Sequence, residues 1–123
     1  MLTILNSIGE IVLTDKPLSR LSDMATEAHI RIQQDFEDIN PIVGVTQSMR
    51  KQGVPADAMT IDCLKSGKRI ILILHDAQPN MIRYQFSFRH KDPDDNFEVI
   101  NLNELTTQTL YEWIKCYFSN VAS

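Results

Sequence analysis

Between residues 18 and 39 the apolar positions 21, 25, 28, 32, 36 and 39 fall on one stripe, with Asp, Glu, Arg and Gln opposite. Steps of three and four predict an amphipathic helix over about 18–39, entered at Pro17 and stopped at Asn40-Pro41. A residue before proline is pushed out of helical backbone, which is why that dipeptide reads as a stop. Ahead of this helix, Met1, Ile4, Leu5, Ile8, Ile11 and Val12 also recur at helical spacing and predict a helix over about 2–13. Gly9 and the β-branched residues make a strand at 10–14 the alternative. The stretch IVGVTQSMRKQG that follows Pro41 reads as one or two short helical turns.

After GVPAD the period changes from helical to two. Met59, Ile61 and Cys63 alternate with Thr60, Asp62 and Leu64, and KSGK reads as a tight turn because glycine supplies the positive φ such turns need. RIILILH and MIRYQFSFR follow, and FEVINL after a polar stretch. The predicted strands are about 58–64, 69–75, 81–89 and 97–102. A last helix over about 106–120 carries Leu110, Trp113, Ile114, Tyr117, Phe118 and Val121 on its apolar side. Helices, then a four-stranded antiparallel meander, then a helix predict an α+β, two-layer architecture in a single domain spanning 1–123.

Alternation also predicts the two faces of the sheet. With Ser66-Gly67 as a two-residue turn, Leu64 lies opposite Arg69 and Cys63 opposite Ile70. Met59, Ile61 and Cys63 then share a face with Ile70, Leu72 and Leu74, and Ile82, Tyr84, Phe86 and Phe88 join them if the second connection has an odd length. The opposite face carries Asp62, Ile71, Ile73, His75, Arg83, Gln85, Ser87 and Arg89, two branched apolar residues framed by charge and hydrogen-bonding groups. A partly covered polar face accounts for that mixture, as does an interface with an apolar centre and polar rim.

Composition narrows the classes. The chain has 123 residues, 43% hydrophobic and 23% charged, which is globular and enough for one core without disulfides or metal. A net charge of −4 argues against nucleic acid as partner. The longest wholly apolar run, IILIL, is too short for a membrane span, and the N-terminus lacks a basic n-region and a cleavage site. A cytoplasmic protein is expected. Cys63 and Cys116 follow no metal-ligand spacing and are expected as buried thiols.

Three stretches invite chemistry. In HKDPDDNFE (90–98), Asp92, Asp94 and Asn96 match the first ligand positions of a calcium loop, but Phe97 stands where glycine is needed and Asn103 where glutamate is needed. The stretch reads as a turn. His75-Asp76 could serve a metal or a general base, with Asp62 as a possible neighbour on the adjacent strand, yet His29 and His90 supply no further ligands. Ser66-Gly67-Lys68 fails the phosphate-loop pattern at Asp62 and Arg69. Arginines and aromatics fall on opposite faces of the third strand, which disfavours base stacking.

No nucleophile, metal or cofactor signature is present. The expectation is therefore a non-catalytic protein-interaction or adaptor module, binding an unidentified protein or a second copy of itself through the second face. The alternative is a small ligand-binding domain or enzyme with a pocket near His75, using Asp62 or Asp76. A structural subunit of a larger assembly is the third reading.

Overall fold

A computed structural model describes residues 16–119. The elements run α1 (Pro17–Asp35), β1 (Ile42–Thr46), α2 (Ser48–Lys51), β2 (Ala56–Asp62), β3 (Lys68–His75), β4 (Met81–Phe88), β5 (Glu98–Asn101) and α3 (Thr107–Phe118). The strands form a five-stranded antiparallel sheet in chain order. The class is α+β, as expected, with five strands rather than four. The added strand is IVGVT, for which helical turns were expected. Its β-branched residues favour a pleated surface, and only SMRK beyond it turns helical. The expected helix over 2–13 and its strand alternative lie outside the described residues.

Pro17 occupies the first turn of α1, where a missing N–H is harmless. The helix ends at Asp35, before the expected stop. Asp35, Glu37 and Asp38 gather negative charge where the helix end is already negative, and Phe36 is extended. Thr106 caps α3 by accepting a hydrogen bond from the Thr109 N–H at 3.1 Å.

The expected pairing of Leu64 with Arg69 and Cys63 with Ile70 is corrected by two residues. Asp62 pairs with Arg69 and Ile61 with Ile70. The turn is wider than two residues: the Gly67 N–H bonds to the Cys63 carbonyl, and Gly67 takes a φ of 76°. A slip of two leaves every side chain on its expected face. The connection from His75 to Met81 is Asp76–Asn80, an odd length, so Ile70, Leu72 and Leu74 lie opposite Phe86, Tyr84 and Ile82.

The core follows from that alignment. Leu21, Ala25, Ala28 and Ile32 of α1 and Leu110 and Ile114 of α3 pack with Met59, Ile61, Ile70, Leu72 and Ile82, all essentially fully buried. Tyr111 ties the two helices by donating its hydroxyl hydrogen to Asp35 Oδ2, and this acceptor raises its pKa above the ordinary value. The core stripe expected at Trp113 and Tyr117 is only half-buried, and Phe86 and Phe88 remain 42% and 45% exposed. Cys63 is buried as expected, whereas Cys116 is exposed. Leu72 lies at the centre with no exposed surface. Truncating it to alanine should lower unfolding stability by about 2–5 kcal/mol in urea titration, by lost transfer energy plus the cavity left behind.

Candidate functional site

The sheet turns one face to α1 and α3, whose buried residues share its core cluster, and the other away from that cluster. Cross-strand pairing arranges this second face in rows. Ile42, Asp62, Arg69 and Ser87 form one row, Gly44, Thr60, Ile71 and Gln85 the next, and Thr46, Ala58, Ile73, Arg83 and Val99 the third. Asp62, Ile71, Ile73, Arg83, Gln85 and Ser87 therefore share the face the alternation assigned them. Their exposure divides it. Asp62, Ile71, Gln85 and Ser87 are buried, Ile73 and Arg89 are half-buried, and Arg83 and Val99 are exposed.

The buried half holds two polar clusters, and in the first of them Arg89 Nε is a buried donor without a hydrogen-bond partner among the described residues. Arg69 Nε and Nη2 donate to the two Asp62 oxygens at 2.7 and 2.9 Å, and Arg89 Nε stands 3.5 Å from Asp62 Oδ2. A fork-to-carboxylate pair of this geometry neutralises a charge that the face would otherwise bury alone, and it raises the Arg69 pKa. Gln85 holds the 89–97 loop: its Nε2 donates to Asp94 Oδ1 at 2.8 Å and to the carbonyls of Asp94 and Asn96, and its Oε1 accepts from the Asp94 N–H. Asp94 Oδ1 also accepts from the Asn96 N–H. Of the acids of HKDPDDNFE, Asp94 thus braces the loop, and among the described residues no group of His, Cys, Asp and Glu is placed to hold a metal ion.

His75 and Asp62 do not converge. His75 pairs with Ala56 at one end of β2, and Asp62 ends the strand six residues on, roughly 20 Å away at the rise of a strand. His75 and Asp76 instead border a cavity of about 480 Å³ with Lys16, Gln47, Arg50 and Asp57. His75 Nδ1 accepts from the Ala77 N–H at 3.1 Å, which leaves the ring proton of the neutral form on Nε2.

An arginine clamp at this end was not anticipated. Arg50 Nε and Nη2 donate to both oxygens of Asp57 at 2.7 and 3.0 Å, while Nη1 and Nη2 donate to those of Asp76 at 2.9 and 2.7 Å. One guanidinium spans two carboxylates and joins α2, β2 and the β3–β4 turn. Its pKa is driven up by both partners, and its hydrogen bonds hold Asp76 below the ordinary carboxylate value. The sequence carried one signal for it. Asp57 falls in phase with Met59 and Ile61, on the face of the core, where a carboxylate needs a cation.

Compared with known proteins, the chain matches no family model, no curated protein and no solved structure. No described helix is long and apolar enough to cross a membrane.

Asp76 has a depressed pKa, so its contribution to stability is present above the ordinary value of 3.8 and is lost as pH falls through the lower folded value. Asp76→Asn should be less stable than the wild type at pH 6, and the gap should close below pH 3.8, read from urea midpoints across pH 2–6.

Proposed function

We propose that this protein is a non-catalytic interaction module that binds another protein, or a second copy of itself, through the accessible half of the second sheet face. The supporting observation is the row of Ile73, Arg83 and Val99 beside the Asp62–Arg69 pair and the buried Gln85, on the face turned away from the core cluster. Ile71, the expected apolar centre, is 7% exposed, so contact falls to Ile73, Val99 and the half-buried Met81. Arg83 supplies the charged rim. Its Nη2 donates to Gln78 Oε1 at 3.1 Å, which holds the guanidinium over the turn. Side chains held by the Asp62–Arg69 pair and by the Gln85 bonds to the 89–97 loop lose little freedom on binding.

A photo-crosslinking residue at position 83 should capture a partner, or a second copy, that one at exposed Gln34 does not. Val99→Glu should reduce that capture at least tenfold, because a charge at an interface centre is left without a partner, while folding stability changes by about 0.5 kcal/mol or less. Unchanged self-association and unchanged partner contacts in Val99→Glu would end this reading.

The second reading, a small-ligand domain, draws on the cavity beside His75. It requires a metabolite that raises the melting temperature of the wild type and not of His75→Ala. A panel that leaves both unchanged removes it.

A further inference from the structure

Strand β5 is half the length of β4. It pairs with Met81–Tyr84 only, so β4 runs on past Glu98 with no neighbour strand on that side among the described residues. The ladder fixes which groups are left over. Arg89 N–H bonds to the Gly67 carbonyl on the β3 side and Leu102 N–H to the Asn80 carbonyl on the β5 side. Antiparallel pairing alternates, so odd-numbered residues of β4 turn their main chain to β3 and even-numbered residues turn theirs outward. The N–H and C=O of Phe86 and Phe88 therefore point off the sheet, and neither residue has a hydrogen-bond partner there among the described residues.

The polypeptide that could have filled this edge is diverted. Extending the β4–β5 register backwards would set Asn96 opposite Phe86 and Asp94 opposite Phe88. The carbonyls of those two residues instead accept from Gln85 Nε2, and Gln85 lies on the second face. The loop is held to one side of the edge, and the other side opens on a groove of about 310 Å³ between β4 and α3. Its walls are Phe86, Trp113, Cys116 and Tyr117, with Glu112 at the rim. The aromatic rings brace one another. Trp113 stacks on Tyr84 at 4.4 Å, and Phe86 meets Trp113 and Tyr117 at 5.7 and 5.0 Å. Tyr117 is fixed by its hydroxyl on the Ser87 carbonyl and by Lys68 Nζ on its own carbonyl.

We propose that this edge and groove bind an extended segment of another protein by strand addition, the segment pairing with Phe86 and Phe88 and setting alternate apolar side chains against Trp113 and Tyr117. The free main-chain groups supply up to four hydrogen bonds, and the groove supplies selectivity at every second residue. Charge defines the partner further. Asp92, Asp95 and Glu98, at and before the start of β5, have no ion-pair partner among the described residues, against Lys91 as the one lysine of that stretch. An apolar segment flanked by lysine or arginine fits. This site shares no residue with the accessible row of Ile73, Arg83 and Val99, so either proposal can fail alone.

The test is a titration of the isotope-labelled full chain with the peptide KVSLTVSK, its glutamate-flanked twin EVSLTVSE, and KVSLTVSK N-methylated at alternate backbone nitrogens. Binding of the lysine form should shift the Phe86 and Phe88 amides and slow their hydrogen exchange. Affinity should fall about fivefold or more in the glutamate twin and about tenfold or more on N-methylation. Glu98→Lys should narrow or reverse the preference between the two flanks, with the fold unchanged. Amides of Phe86 and Phe88 that exchange as in the free protein at millimolar peptide would overturn the proposal, as would binding indifferent to N-methylation. Protection of these amides that rises with protein concentration alone would assign the edge to a second copy and overturn it equally.

Discussion

Side-chain alternation carried in phase across the sheet is the constraint on which the rest of this molecule depends. Ile70 and Leu72 of β3 sit between Ile61 and Met59 on one side and Phe86 and Tyr84 on the other, and all six turn toward the helices. A slip of one residue in either hairpin would exchange these apolar rows for Asp62, Arg69, Gln85 and Ser87. Each connection therefore preserves parity, and the clamps at the strand ends hold it. Arg69 locks Asp62 at the turn into β3, and Arg50 locks Asp57 and Asp76 at the opposite end. A shifted strand would leave a carboxylate without its guanidinium.

The same period explains what was legible in the sequence. A strand of alternating residues declares both of its faces, so the membership of the second face could be read without knowing the turn lengths. A two-residue error in the β2–β3 turn changed the pairing of Asp62 and left its face correct. β1 was not legible, because IVGVT is a short apolar run interrupted by glycine, which periodicity alone does not separate from a helical turn. Nor was the division of the second face into buried and accessible halves. Gln85 on that face is held by the 89–97 loop, a contact made by one amide side chain with main-chain carbonyls that carry no sequence signature. The clamp of Arg50 joins partners 7 and 26 residues away, and no local spacing announces such a pair.

The two candidate surfaces differ in kind. The accessible part of the second face is a set of side chains on a finished sheet, whereas the β4 edge is an unfinished sheet whose main chain is itself the binding group. Gln85 lies between them: its side chain is buried beside the first, and its bonds to Asp94 and Asn96 hold the loop off the second. Natural sheets commonly protect an exposed edge with charge, proline or a short strand. Here the adjacent turn carries Pro93 and three aspartates, while the edge residues themselves are phenylalanines.

The tie between Tyr111 and Asp35 joins residues 76 positions apart, and it has a consequence for synthesis. The strands of this meander can pair with their neighbours as each leaves the ribosome, because every hairpin is local. Of the described elements α1 is made first, yet its companion over the core is the 12-residue α3, which emerges after the whole sheet. During that interval Ile70, Leu72 and Ile82 are a half-covered apolar surface, and the nascent chain is complete in its pairing before it is complete in its layers.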